Sequence, residues 1–233
     1  MARIGKLYII ATPIGNLKDI TLRALETLKS VDFIICEELR QGSKLLNRLD
    51  VQPKELLNIN EHNEITNIDE ILQRLYMGKD GALISDCGTP VFSDPGSFLI
   101  ERAVQSGIQV VPVPGPSSLM AALSVLEFKP EKFYFAGFLP RDNQERKNEL
   151  NQLKGISTPI VLMDTPYRLG KLLDEINSVL GANRQITLAC DISLASEKIY
   201  RGKISDVKNQ VGEKKSEFIL ILHAQSSLRR KQK

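Results

Sequence analysis

Cysteine and histidine are scarce in this 233-residue sequence, and their positions exclude several kinds of site. The three cysteines, Cys36, Cys87 and Cys190, are far apart, and no CxxC pair occurs. Neither histidine, His62 or His223, lies at metal-ligand spacing from a cysteine. The sequence therefore predicts no disulfide framework and no bound metal, and it favours a reduced, cytoplasmic protein.

Long apolar runs and an excess of one charge are also missing. No segment approaches the roughly 18 apolar residues of a membrane helix, and the N-terminal residues lead directly into a strand pattern. The 31 basic and 28 acidic residues leave a net charge of only +3, so the composition permits RNA binding without indicating it. We expect neither secretion nor contact with a membrane.

Three common signatures of catalysis or nucleotide binding are absent as well. The spacing of Ser, His, Asp and Cys supports no catalytic triad or dyad, so covalent catalysis has no support. The phosphate-binding pattern GxxxxGK[ST] does not occur, and nothing after the first apolar run matches GxGxxG. P-loop and dinucleotide-binding folds are therefore disfavoured.

The sequence does contain a regular alternation of short apolar runs and amphipathic segments. In the first half each run precedes a helix pattern, and the runs lie at 7–10, 33–36, 56–59, 82–85 and 110–113. This alternation predicts an α/β fold with a mostly parallel sheet, and a hairpin pattern near 199–202 indicates a mixed sheet in the second half. We predict two α/β domains, residues 1–128 and 129–225, and a mobile basic tail at 226–233. The basic residues of segment 141–154, Arg146 among them, are interpreted as solvated.

Three loops are unusual enough to suggest a binding site at the carboxyl ends of the strands, where open α/β sheets hold ligands. They lie at 12–17, 85–96 and 112–118, and all combine proline, glycine and small polar residues. Ser93 or Asp94 followed by Pro95 can be interpreted as a helix cap. That alternative leaves Gly88-Thr89-Pro90 unexplained, so we predict that the second loop binds a ligand.

Taken in order and spacing, these segments resemble the tetrapyrrole methylase superfamily, and most closely its branch that methylates a ribose 2′-hydroxyl in small-subunit (16S) ribosomal RNA. The resemblance runs from about residue 7 to about residue 222. It is carried by LYIIATPIGNL at 7–17, DIT at 19–21, RALE at 23–26, EHNE at 61–64, SD at 85–86, GTP at 88–90, SDPG at 93–96, VVP at 110–112, PGPS at 114–117 and GFLP at 137–140.

The resemblance implies a homodimer in which each chain holds S-adenosylmethionine in a deep cleft between two α/β domains, and it implies an RNA or small-ribosomal-subunit partner. It assigns donor contacts mainly to backbone groups and small side chains: Pro13, Ile14, Gly15, Gly88, Thr89, Pro90, Phe92, Ser93, Ser117, Ser118, Met163 and Ala189. A ribose hydroxyl needs a proton acceptor, for which we select Asp86 and Glu37. Arg40, His62 and Arg141 are the candidates for contacts with the RNA.

The sequence also departs from the family pattern. The segment at 37–40 reads Glu-Glu-Leu-Arg and lacks the family's hydroxyl, while Met163-Asp164-Thr165 and 189–194 replace two further motifs. The small helical domain that ribosomal RNA members carry at the C-terminus is not expected here. Two alternatives therefore stay open: a methyltransferase of this fold that acts on a tetrapyrrole or another small molecule, and a donor-binding protein without activity.

Overall fold

The computed structural model describes residues 3–52, 54–60, 64–91 and 94–224, with the backbone alone at 64–66. The chain divides between Ser117 and Ser118 into two compact units. The boundary that we predict from the sequence, at residue 128, falls later along the chain. The difference arises because helix 118–124 packs on the second sheet, where Ala122 and Leu123 share a buried cluster with Val161 and Ile221.

The first unit is built on five parallel strands in the order β3-β2-β4-β1-β5. The strands are β1 Leu7–Ile10, β2 Phe33–Cys36, β3 Glu55–Asn58, β4 Gly81–Ile84 and β5 Val110–Val113. Four helices connect them: α1 Leu22–Ser30, α2 Leu39–Arg48, α3 Glu64–Tyr76 and α4 Ser97–Gln105. A 3₁₀ turn, Leu17–Asp19, precedes α1.

Both faces of this sheet are covered by helices, which explains why the three inner strands β1, β2 and β4 are continuous apolar runs. Successive side chains of a strand point to opposite faces. Accordingly, Phe33 and Ile35 pack in a cluster with residues of α3 and α4, whereas Ile34 and Cys36 pack in a second cluster with residues of α1 and α2. The helices therefore lie on both faces and leave the carboxyl ends of the strands to the loops.

The second unit contains a mixed five-stranded sheet in the order β6-β7-β10-β8-β9. Strands β6 and β7 are parallel, and the other neighbouring pairs are antiparallel. The strands are β6 Tyr134–Phe138, β7 Ile160–Met163, β8 Gln185–Cys190, β9 Lys198–Lys203 and β10 Phe218–Leu222. The helices are α5 Ser118–Ser124, α6 Asn143–Leu153, α7 Leu169–Leu180 and α8 Ile204–Val211. The predicted α/β class, with one parallel and one mixed sheet, is confirmed.

Segment 141–154 differs from its predicted solvated state. It forms α6, which begins where the Asp142 side chain accepts hydrogen bonds from the backbone N–H groups of Gln144 (2.8 Å) and Glu145 (2.9 Å). Arg146 is only 1% exposed. Its interpretation as a solvated residue is wrong, because the buried Asp164 carboxylate and the partly buried Glu175 carboxylate compensate its charge.

Within the described parts of the chain, no helix is long and apolar enough to cross a membrane.

Candidate functional site

The loops that follow β1 and β4 are joined at the carboxyl edge of the first sheet. Thr12, which is fully buried, makes three of the connecting hydrogen bonds. Its backbone N–H donates to the Gly88 carbonyl (2.9 Å), its hydroxyl donates to the Ser85 carbonyl (3.0 Å), and its Oγ1 accepts from the Gly88 N–H (3.1 Å). Buried backbone groups of the Gly88 loop are thereby satisfied by one threonine.

The loop after β5 contacts the same place from the other side of β1. The Thr89 hydroxyl donates to the Pro116 carbonyl at 3.1 Å. Gly88 has a φ of +88°, and a Cβ there would lie 3.0 Å from Ile14 Cγ2 and 3.7 Å from the Pro116 carbonyl oxygen. Both the backbone conformation and the close packing therefore require glycine. The structure brings the predicted donor residues Ile14, Gly88 and Thr89 together, with Pro116 next to Ser117.

Residues 88–91 also contain backbone strain. Val91 adopts a φ of +73°, a conformation that costs a residue with a side chain roughly 1–2 kcal/mol and is especially unfavourable for a β-branched one. Its side chain packs against the buried cluster that lies under α3 and α4. Strain of this kind is concentrated at binding and catalytic loops, so it supports a functional interpretation of the segment.

A pocket of about 230 Å³ opens beside these loops within the first unit. The β1 and β4 loops form one side of it and α2 forms the other. The lining residues are Pro13, Ile14, Gly15, Leu17, Gln41, Lys44, Leu45, Arg48, Asp86 and Cys87. The four residues from α2 are not among those predicted from the sequence, although their helical spacing is a signal that they share one face.

Asp86 lies at this pocket with two other acidic residues within electrostatic range. Partial burial raises the pKa of its carboxyl, and the charges of Asp94 and Glu38 raise it further, while a hydrogen bond from the Glu38 backbone N–H lowers it. Burial, followed by the charges of Asp86 and Glu38, also raises the pKa of the Cys36 thiol to about 12, so this cysteine stays protonated. The ends of β2 and β4 therefore form an acidic region.

Asp94 does not have the capping role that we considered for it. Its Oδ2 accepts a hydrogen bond from the Ser85 hydroxyl at 2.5 Å. Helix α4 instead begins after Gly96, whose φ of +122° favours glycine. The cap interpretation is wrong for Asp94 and Pro95 because the acid braces its own loop.

Glu37 and Arg40, the other predicted polar residues of the first unit, are both exposed. Glu37 directly follows β2, and its carbonyl accepts a hydrogen bond from the Asn58 side-chain amide. Arg40 lies in the first turn of α2. Both are thus at the same edge of the sheet as Asp86. The predicted site residues His62, Phe92 and Ser93, and the predicted tail 226–233, lie outside the described residues.

In the second unit, Met163 and Ala189 occupy one face of the sheet. Both are register partners of Ile219 on β10, the strand between theirs, and both pack in the cluster beneath α5. Ser118 is the first residue of α5, and Arg141 is exposed just before α6. Within this unit the structure therefore brings Met163 and Ala189 together.

A buried ionic cluster supports the residue that follows Met163. The Asp164 carboxylate lies 2.7 Å from Arg146 Nη2, and Arg146 Nε lies 2.5 Å from the Glu175 carboxylate. The side chains of Arg146 and Asp164 are 1% and 2% exposed. Burial lowers the pKa of Arg146, but the hydrogen bonds to Glu175 and Asp164 outweigh this effect and raise it. The cluster holds α6, α7 and the end of β7 in one arrangement.

Residues 6–208 match the family model of the tetrapyrrole (corrin/porphyrin) methylases. The chain belongs to this family. Its fold is shared by the crystal structure of uroporphyrin-III-C-methyltransferase from Thermus thermophilus, with a TM-score of 0.64, 19% identity and coverage of 94% of both chains. The family and the methyltransferase class that we predict from the sequence are confirmed.

Relatives within the family share much more of the sequence. The ribosomal RNA small subunit methyltransferase I of Thermotoga maritima is 43% identical over 212 residues, which cover 91% of this chain and 94% of that protein. The protein of the same name from Bacillus subtilis is 37% identical over 226 residues, which cover 96% of this chain and 77% of that protein. The predicted resemblance to the ribosomal RNA branch is confirmed by these similarities.

Proposed function

We propose that this chain transfers a methyl group from S-adenosylmethionine to a ribose 2′-hydroxyl of small-subunit (16S) ribosomal RNA. The observation that carries the proposal is the 43% identity, over 91% of the chain, to a protein named as a small-subunit ribosomal RNA methyltransferase. Family membership by itself supports methyl transfer, and the names of the relatives support the acceptor. The homodimer is part of the same proposal, because it rests on the resemblance.

The residues of the first unit fit a bound S-adenosylmethionine. Gly88, Thr89, Pro90 and Ser117 offer backbone groups and hydroxyls without a charged side chain. The acidic region formed by Glu38, Asp86 and Asp94 is favourable for a cationic sulfonium, because these three carboxylates lie within electrostatic range of one another. We propose that these loop residues hold the donor, and that Ser118, Met163 and Ala189 supply contacts from the second unit.

Bound S-adenosylmethionine supplies a methyl carbon that is activated by the positive sulfur. The task of the protein is to hold the acceptor oxygen in line with that carbon at about 3–3.5 Å. As the new O–C bond forms and the C–S bond breaks, the hydroxyl proton must leave. We propose that the Asp86 carboxylate accepts it, because Asp86 lines the pocket and its raised pKa makes it a better base. Glu37 is the second candidate.

Methyl transfer can be tested with tritiated donor and three separate acceptors: small subunits from a strain that lacks this methyl group, free ribosomal RNA, and a porphyrinogen. We expect label in the RNA of the small subunit. Because a 2′-O-methyl group blocks alkaline cleavage of the adjacent phosphodiester, the label should remain in an alkali-resistant dinucleotide.

The other outcomes discriminate between the alternatives. Label in the porphyrinogen alone would contradict the RNA acceptor and support the small-molecule alternative. Donor binding without label in any acceptor would contradict both. If alkaline hydrolysis instead leaves the label in mononucleotides, the methyl group is on another atom of the RNA, and the ribose assignment is refuted.

A further inference from the structure

Helix α2 carries a row of exposed basic side chains that leads into the pocket. Arg40, Lys44 and Arg48 are four residues apart, so they lie on one face and rise about 12 Å along the helix axis. All three are exposed, and α2 contains no acidic residue. We call these three residues the α2 basic row.

The charges of the row differ from that of Arg74, a basic residue on the neighbouring helix α3 that is compensated by carboxylates. Arg74 on α3 contacts Glu70, four residues before it, at 2.6 Å, and also pairs with Glu55. By contrast, none of the α2 basic row forms an ion pair with a residue that the structure describes. Repulsion between like charges at this spacing destabilises a helix.

The position of Arg40 is unfavourable for the helix in a second way. It is the second residue of α2, where the helix dipole disfavours a positive charge, whereas Arg48 in the last turn is favourably placed. Stabilisation of the helix therefore explains a positive charge at residue Arg48 but not one at Arg40. A ligand with several negative charges would account for the whole row.

The pocket connects the row to the proposed site of chemistry. Lys44 and Arg48 line it together with Gly15, Asp86 and Cys87. A strand of RNA that is bound through its phosphates along α2 would enter the pocket where Asp86 can accept a proton. Phosphate contacts of this kind position a nucleic acid without reading its sequence.

We infer that the α2 basic row, together with Gln41 at the pocket, is the surface that holds the phosphate backbone of single-stranded RNA next to the methylated ribose. The inference rests on the proposed function and deepens it. An anionic membrane is less suitable, because Leu39, which is 44% exposed, is the sole large exposed apolar side chain that the structure describes on α2.

The test is the affinity of the full chain for a fluorescein-labelled single-stranded 20-mer oligoribonucleotide, measured by anisotropy over a range of salt concentrations. The variant is Lys44→Gln with Arg48→Gln. Each phosphate contact with a single strand contributes about 0.7 to the slope of log affinity against log salt, so the slope should fall by about 1.4 and the affinity at 0.1 M salt by roughly 25-fold.

A matched control removes two exposed lysines from the amino edge of the sheet, Lys29→Gln with Lys79→Gln. It makes the same change in net charge and should leave both slope and affinity unchanged. Donor affinity, measured by calorimetry, should be unchanged in both variants. Equal losses in the two variants would refute the inference, because they would show a bulk charge effect.

Three further outcomes would also contradict it: an unchanged slope in the α2 variant, loss of donor affinity along with RNA affinity, or binding of the wild type to anionic vesicles and not to RNA. Failure of the proposed function is recognised separately, since the wild type would then methylate no RNA. An α2 variant that binds and methylates RNA like the wild type would refute this inference alone.

Discussion

At the scale of single residues, Gly88 shows how a loop can depend on a missing side chain. Its backbone occupies the left-handed region, its N–H and carbonyl are held by Thr12, and its Cα packs against Ile14. Alanine would have to adopt the unfavourable φ and displace Ile14 as well. The geometry of three loops is therefore sensitive to this position.

We predict that Gly88→Ala lowers both stability and activity, whereas Gly107→Ala lowers stability alone. Gly107 also has a positive φ, +70°, but a Cβ there would contact nothing within 4 Å. Each substitution should cost about 1–2 kcal/mol for the left-handed backbone, measured by denaturant unfolding. A displacement near 1 Å costs about 100-fold in rate, so a smaller shift at Gly88 should lower kcat/KM by roughly tenfold. Equal activities of the two variants would argue against the Gly88 loop as part of the site.

The second residue-scale prediction concerns Asp86 and pH. A protonated carboxyl cannot accept a proton, so methyl transfer should fall as the pH is lowered through the raised pKa of Asp86. Asp86→Asn should lower kcat by about 10²–10⁴-fold, which is a larger effect than the loss of donor affinity from removing one of the three acidic charges. Glu38→Gln removes a charge that raises this pKa, so the acidic limb of the kcat/KM profile should move to lower pH. Glu26→Gln on the exposed face of α1 should leave the profile unchanged.

Asp86 also affects stability, and raising the pH changes stability in the direction opposite to its effect on activity. Because the pKa of Asp86 is raised in the folded state, the protonated form stabilises the folded protein. This stabilisation is fully present below the pKa of the unfolded state, about 3.9. It is lost as the pH rises through the pKa of the folded state. Asp86→Asn resembles the protonated form. At pH 7 it should unfold at the same or a higher temperature, and a clear decrease would indicate a structural role instead.

At the scale of elements, the strands of the first unit could be predicted because each has an apolar centre between turns, and β1, β2 and β5 match the prediction at both ends. The loops at 12–17, 85–96 and 112–118 were identified from composition alone. Of the row on α2, Arg40 was predicted as an RNA contact, but Lys44 and Arg48 were not, because nothing in the sequence shows which helix face turns toward a pocket. Arg146 was misinterpreted for a related reason, since its partners Asp164 and Glu175 are 18 and 29 residues away.

The ionic cluster of α6, α7 and β7 gives the element-scale prediction. Arg146→Met would leave Asp164 buried without its main partner, and removal of one member of a buried pair costs about 3–5 kcal/mol. Arg146→Met combined with Asp164→Leu should recover much of that loss in denaturant unfolding. Lys208→Ala, which breaks a half-exposed pair with Asp174, should cost less than about 1 kcal/mol. Equal costs for Arg146→Met and Lys208→Ala would refute the structural role of the cluster.

At the scale of the whole molecule, similarity and charge have to be interpreted together. The net charge of +3 gives no general attraction to RNA, so an RNA methyltransferase of this composition needs its cations in one place. The uncompensated row on α2 meets that need, and the acidic region at the ends of β2 and β4 lies at the same edge of the sheet. Opposite charges at one edge suit a cationic donor and an anionic acceptor.

The whole-molecule prediction is that the donor stabilises the protein by mass action. A ligand at 100 times its Kd stabilises the folded state by about 2.7 kcal/mol, which for a chain of this size raises Tm by roughly 5–10 °C. S-adenosylmethionine and S-adenosylhomocysteine should both produce this shift, and ATP should not. Thr89→Arg places a bulky cation where Thr89 contacts Pro116 and should abolish the shift, because it both fills the donor site and repels a sulfonium.

Thr89→Ser retains the hydroxyl that donates to Pro116, so it serves as the control and should keep most of the shift. The unliganded Tm of both variants should stay close to that of the wild type, since Thr89 is exposed. A full shift of Tm in the Thr89→Arg variant would show that the loop after β4 does not bind the donor. It would leave the family intact, because membership rests on the match over residues 6–208 and not on this residue.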